Sequence, residues 1–183
     1  MINQKLEFLF IIVVLLVACL VFVFDVELYG DIFQFLALYL AVIILLFERN
    51  LKRVLMLAIC ALCVVCFVYA IKGGFVWLAA HNVEYAKISL RPYAFNKEHN
   101  IKDYNGFPSG HTAAAFMAVG FALRCYSKKW ITLLALLALL VPPSRVLTMW
   151  HTTLQVIAGG FFGLFISYSV VCLLQKFPYF RNE

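Results

Sequence analysis

The sequence predicts an all-α integral membrane protein, one domain over residues 1–183 built as a bundle of six transmembrane helices, and three observations predict it. Of its 183 residues, 65% are hydrophobic and only 13% charged, whereas soluble domains run near half apolar and a quarter charged. The mean hydropathy is +0.95. The apolar residues fall in near-continuous runs of about 17–20 rather than alternating over about 10, which selects helices over a barrel.

The first run, Leu6 to Phe24, is too long for a signal-peptide core, and Asp25-Val26-Glu27 is no small-residue cleavage site, so a retained span is expected. A polar turn, Asp25 to Asp31, precedes the second run, Ile32 to Phe47. The basic loop Glu48 to Arg53 leads to a third, Val54 to Ile71, interrupted at Lys72-Gly73-Gly74. Phe75 to Leu90 is mixed, either an interfacial helix or a continuation of span three. After the polar segment Arg91 to Pro108 come span four (Ser109 to Leu123), span five (Trp130 to Val141, ending at Pro142-Pro143) and span six (His151 to Leu174).

Charge sets the expected topology. Six spans place both termini on one side, with Lys5, Arg49–Arg53, Arg124–Lys129 and Lys176–Arg181, and the positive-inside rule makes that side cytoplasmic. The net charge of +6 needs no nucleic acid to explain it, and no aromatic-and-basic surface suited to single strands is present. Cys60, Cys63 and Cys66 have metal-like spacing, but no histidine or carboxylate joins them inside that span, so buried thiols are expected. Gly159/Gly163 and Ala114/Ala118 have the small-xxx-small spacing of close helix packing.

Topology does not ask for cations on the outer side, yet Lys87, Arg91, Lys97, Lys102 and Arg145 are there. Three outer pieces stand out: Arg91-Pro92, Pro108-Ser109-Gly110-His111 at a helix start, and Ser144-Arg145 with His151 six residues beyond Arg145. Helix-start N–H groups and two guanidinium forks match phosphate oxygens. Two histidines provide what phosphate-ester cleavage needs, one to attack phosphorus and one to protonate the departing oxygen.

These blocks, in this order, resemble the type 2 phosphatidic acid phosphatase superfamily, whose pattern reads K-x6-R-P, P-S-G-H and S-R-x5-H-x3-D. The resemblance covers about residues 54–174. It implies that His151 is the nucleophile forming a phosphohistidine, and that His111 is general acid for the leaving group and then base for water. It implies that Arg91, Arg145, Ser109 and Gly110 hold the phosphoryl oxygens, with no metal and no cofactor. Two positions depart from the pattern. Glu84 stands where the family has lysine, with Lys87 one helical turn on as a candidate replacement, the alternative being an interfacial lysine paired with Glu84. Gln155 replaces the final aspartate; its carbonyl can accept the Nδ1–H bond of His151 and leave Nε2 free, without a carboxylate's charge.

The expected activity is therefore hydrolysis of a lipid phosphomonoester or diphosphate at the outer leaflet, the lipid being lipid A, an isoprenyl diphosphate, phosphatidylglycerol phosphate or phosphatidate, in a bacterial inner membrane. Two alternatives stay open: a lipid phosphotransferase using the same site, and an inactive member that binds or moves phospholipid. Tyr93, Asn96, Lys97, Lys102 and Tyr104 are placed between the blocks as solvated loop residues near the head group, with Asp103 able to pair with Lys102 or a site arginine. His81 and His99 match no block, and Trp77 and Trp150 suit a belt at the membrane surface.

Overall fold

The structure, a computed structural model, describes residues 4–92 and 103–181; Tyr93, Asn96, Lys97, His99 and Lys102 lie outside them. The described residues form eight α-helices with short 3-10 and π turns and no strands: α1 Gln4–Phe24, α2 Val26–Phe33, α3 Leu36–Ile43 extended by a π turn to Glu48, α4 Leu51–Ala80, α5 Gly110–Cys125, α6 Lys128–Leu139, α7 Val141–Leu147 and α8 Thr153–Leu174. Four segments are long and apolar enough to cross a membrane: Glu7–Phe24, Leu51–Ala80, Lys128–Leu147 and Thr153–Leu174. The pair α2–α3, bent by 47°, makes a fifth if taken as one broken span. α5, 16 residues long, is not among them.

The helix starts are written in the sequence. Asp25 caps α2 by accepting from Leu28 N–H at 2.9 Å, so the segment read as a polar turn is helical from Val26 onward. Asn50 caps α4 through Arg53 N–H at 3.1 Å. The break between α2 and α3 is stabilised by side chains: Gln34 donates to the carbonyl of Asp31 at 3.1 Å, and Tyr39 to that of Ile32 at 3.0 Å. Carbonyls released at the kink are thus satisfied locally. Lys72-Gly73-Gly74 does not interrupt α4, which continues to Ala80 before a 3-10 turn, Glu84–Ser89. Packing and one uninterrupted hydrogen-bond ladder override the modest cost of two glycines. Pro142 and Pro143 open α7 in its first turn, where their missing N–H groups cost nothing.

At the centre stands α5, with Ala115, Ala118, Phe121 and Ala122 fully buried. It lies along α8 in backbone contact: a Cβ on Gly159 would strike the backbone of Ser109, one on Gly163 that of Ala113, and one on Gly120 that of Leu164. Small residues let the two helices approach closely, the arrangement favoured between helices in lipid. Tyr29 ties α2 to α6: it is fully buried, stacks on Phe33 with ring centroids 4.2 Å apart, and donates to the Leu137 carbonyl at 2.7 Å. By contrast α1 exposes Phe8, Leu16 and Val23, as expected of a surface facing acyl chains. The protein is an integral membrane protein.

At one end of the bundle Glu48 collects Arg53 at 2.5 Å and the Tyr126 hydroxyl at 2.6 Å, while Lys129 pairs with Glu7. The starts of α5 and α8 and the end of α4 lie at the other end, and the candidate site is there.

Candidate active site

Two polar segments run against each other beneath the site. Arg91 N–H donates to the Asp103 carbonyl at 3.0 Å, Gly106 N–H to that of Ser89 at 2.8 Å, and Phe107 N–H to the Ser89 hydroxyl at 3.0 Å. This pairing brings the first block to the second. Arg91 is further held by Asp103, with Nε to Oδ2 at 3.2 Å, and its guanidinium lies 5.4 Å from the centre of the Trp150 ring. Asp103 therefore pairs with a site arginine, one of the two partners the sequence allowed. Trp150 is not merely a membrane-surface anchor: its indole N–H donates to Glu27 at 2.8 Å.

The second block opens α5. Ser109 is the N-cap, its hydroxyl accepting from Thr112 N–H at 3.5 Å and from the Thr112 hydroxyl at 3.1 Å. Its own N–H donates to the Gln155 carbonyl at 2.9 Å, so the fully buried Ser109 joins α5 to α8. A Cβ on Gly110 would meet nothing within 4 Å. The glycine thus faces open space at the positive end of the helix, where an anion is favoured. His111 stands one residue further, its Nε2 3.2 Å from Asp31 Oδ1.

The third block spans the end of α7 and the start of α8. Met149 has φ of 61°, a left-handed turn that a non-glycine residue adopts at a cost of about 1–2 kcal/mol. That turn folds the chain back so that His151 N–H donates to the Arg145 carbonyl at 3.1 Å. The five residues between Arg145 and His151 thereby place both side chains at one helix end. Arg145 is 2% exposed; it donates to Asp31 at 2.9 Å, to the Glu27 carbonyl at 2.5 Å and to the Ser144 hydroxyl at 3.3 Å. Gly30 makes room for it, since a Cβ there would strike the guanidinium. Of its five donors, three are thus engaged by described residues.

Gln155 is fully buried and bonded at both ends of its amide. Nε2 donates to the carbonyls of Ile88 at 2.9 Å and Leu90 at 3.0 Å, which fixes which end is nitrogen. Oε1 then accepts from Thr152 N–H at 3.2 Å and faces His151 Nδ1 at 3.1 Å, so the proton sits on Nδ1 and the Nε2 lone pair is available. Thr152 and Gln155 form a reciprocal capping box at the start of α8. Burial first, then the charge of Arg91, keeps the His151 imidazole neutral, with its pKa pushed down to about 3; the bond from Gln155 opposes this shift and the charges of Lys72 and His111 add to it.

The structure thus brings together His111, His151, Gln155, Arg91, Arg145, Ser109 and Gly110. It does not bring Lys87, whose ammonium pairs with Glu84 at 3.1 Å, both side chains being largely exposed. The reason is the 3-10 turn: with three residues per turn, positions 84 and 87 share the outward face while Ala86 and Ser89 share the buried one. Glu84 consequently keeps its charge away from the cluster. His81 bonds the Trp77 carbonyl through Nδ1 at 2.9 Å at an exposed helix end.

Two residues at the site were not singled out from the sequence. Asp31, read only as the end of a polar turn, bridges His111 and Arg145 through one oxygen. Lys72, read as an interruption, is a buried ammonium on α4 bonded to the Asn105 carbonyl. A lone lysine inside an otherwise apolar span was the available signal for it. Among the described residues no group of three or more His, Cys, Asp or Glu side chains is placed to hold a metal ion.

Comparison with known proteins bears on the family of the chain. The family model for the PAP2 superfamily matches residues 85–179. The lipid A 4'-phosphatase of Helicobacter pylori is 34% identical over 143 residues, which are 75% of this chain and 68% of that protein. The crystal structure of Aquifex aeolicus LpxE shares the fold, with a TM-score of 0.60 and 20% identity over 80% of this chain and 85% of that one. The family match takes in Arg91, the helix-start Ser109-Gly110-His111 and the Arg145–His151 turn, and on that match and the 34% identity the chain belongs to the PAP2 superfamily.

Proposed function

We propose that the protein is a membrane lipid phosphatase that hydrolyses a phosphomonoester of a lipid A-like glycolipid through a phosphohistidine intermediate. The observation that carries the reading is His151: buried, neutral, its Nδ1 occupied by Gln155 and its Nε2 available within the field of Arg91. The named relative, a lipid A 4'-phosphatase, is what points to lipid A ahead of the other lipids.

In this mechanism the phosphoryl oxygens are held by Arg91, Arg145 and the N–H groups at the start of α5. His151 Nε2 attacks phosphorus as the ester P–O bond breaks, and protonated His111 delivers its proton to the departing hydroxyl. His111 then removes a proton from water, whose oxygen displaces the histidine and releases inorganic phosphate. Asp31, 3.2 Å from His111, forms an ion pair with that ring whenever it is protonated. The lipid tails stay in the bilayer while the phosphate reaches the helix ends. In this reading α5 is the sixth crossing, short because it is enclosed by protein, and the basic end of the bundle is cytoplasmic by the positive-inside rule. The site then faces the outer leaflet of a bacterial inner membrane.

The test is phosphate release by the purified protein in detergent micelles from lipid A, an isoprenyl diphosphate, phosphatidylglycerol phosphate and phosphatidate. Release is expected with lipid A and absent in His151→Ala. Release that survives the substitution removes the nucleophile. A new phosphorylated lipid in place of free phosphate makes the protein a transferase, and no product from any lipid favours a binding role.

A further inference from the structure

We propose that Lys72, a lysine within the α4 span, is the phosphate-binding cation that the first block of this chain lacks. The inference rests on the phosphatase reading above and deepens it. At position 84 stands a glutamate, and the nearby Lys87 is committed to it on an exposed face. The ammonium that does enter the cluster comes from elsewhere in the chain.

Lys72 lies eight residues before the end of α4 at Ala80, about 12 Å down the helix axis. Its side chain is buried, at 9% exposure. An ionised lysine at such depth is expensive and persists where it pairs or lines a polar cavity. Its partner among the described residues is a neutral group, the Asn105 carbonyl, and the same oxygen receives Arg91 Nη2 at 3.4 Å. Two cations therefore converge on one uncharged oxygen. The carboxylate whose charge acts on Lys72, Asp103, is already 3.2 Å from Arg91 Nε. The charge of Lys72 also acts on His151, the ring that attacks phosphorus.

Charge balance points the same way. Among the described residues the cluster holds Lys72, Arg91 and Arg145 against Asp31, Asp103 and Glu27, whose carboxylate receives the Trp150 indole, so cations and carboxylates balance. Without Lys72 the carboxylates would outnumber the cations and a phosphate dianion would meet a net negative cluster. Lys72 supplies the ammonium from the helix interior, reaching the site from below, where the family pattern supplies it from the loop before Arg91.

A purely structural role is the competing explanation, since Lys72 also pins the Asn105 carbonyl. Lys72→Gln separates the two, because its amide keeps a donor for that carbonyl and drops the charge. The probe is inorganic phosphate, its affinity read from the phosphate-dependent rise in thermal denaturation of the full chain in micelles, beside kcat and KM on lipid A. We expect at least tenfold weaker phosphate binding and a raised KM in Lys72→Gln, with denaturation in the absence of phosphate close to wild type. Lys72→Arg should stay within about threefold of wild type, and Lys87→Met should match it. Phosphate affinity within twofold of wild type in Lys72→Gln overturns the inference, as does a loss in Lys72→Arg as large as in Lys72→Gln. If Lys72→Gln does not fold, Lys72→Arg decides alone against wild type: phosphate binding within threefold supports the inference and a tenfold or greater loss overturns it. Wild-type protein that binds phosphate through Lys72 but releases none from any lipid would sink the function reading and leave Lys72 standing. Wild-type protein that binds no phosphate overturns both.

Discussion

Gln155 is the residue whose replacement the structure prices most directly. Its amide makes four contacts in a fully buried setting: two donated to the Ile88 and Leu90 carbonyls and two at Oε1, from Thr152 and His151. Gln155→Glu keeps an oxygen for His151 but turns a carboxylate oxygen toward two carbonyls. Each orphaned buried acceptor costs about 1–3 kcal/mol, so the variant should lose about 2–6 kcal/mol of stability. Gln155→Leu keeps the bulk and leaves His151 Nδ1 without its acceptor. Freeing the ring to adopt the wrong tautomer or orientation should lower kcat about 10–100-fold, the equivalent of about 1.4–2.7 kcal/mol. Denaturation midpoints and kcat for phosphate release, measured on both variants, test the two halves separately. Gln155→Leu with unchanged kcat would refute the orienting role. Gln155→Glu with unchanged stability would show that the two carbonyl bonds do not matter, and that the glutamine merely stands in for the family's aspartate.

Further expectations follow from the same contacts. His151, unfolded, takes up a proton as pH falls through about 6.5, but folded it stays neutral to about 3. The unfolded state therefore binds more protons over that window, and stability must fall on acidification by up to about 1.4 kcal/mol per pH unit. Denaturation at pH 7.5 and 5.5 should show this loss in wild type and a smaller one in His151→Gln; equal losses would exclude the ring as its source. Asp31→Asn removes the carboxylate shared by Arg145 and His111, and phosphate release should fall about tenfold or more; wild-type turnover would make the bridge incidental. Gly110→Ala should leave stability equal or higher by up to about 1 kcal/mol, because the Cβ meets nothing. Its KM should rise as the methyl enters the space assigned to phosphate, and an unchanged KM would remove Gly110 from the site.

Much of the site was readable without coordinates because its residues are fixed by short-range geometry. Ser109-Gly110-His111 is a helix start, and Arg145 to His151 is one tight turn, so local spacing carries both. The bond from Gln155 to His151 followed from their four-residue separation on one helix face. What escaped depends on long-range packing. Asp31 reaches Arg145 across 114 residues of sequence, and Lys72 reaches Asn105 across 33. For Lys87 the sequence left two readings open, and the structure shows the pairing with Glu84, because the face the two share is turned outward, away from the cluster. The number of spans was the least legible feature of the fold: α2 and α3 are bent at Gln34-Phe35, and α5 is only 16 residues long.

The glycine contacts between α5 and α8 have a consequence for chemistry performed well above them. His111 rides on the first turn of one helix and His151 immediately precedes the other, so the gap between the two imidazoles is inherited from how deeply those helices nest. Gly163, about three turns along from His151, leaves no slack against Ala113. A single methyl added there would wedge the pair apart and widen the imidazole separation without touching either ring. The interior of the bilayer thus holds the gauge to which the proposed phosphate site is set.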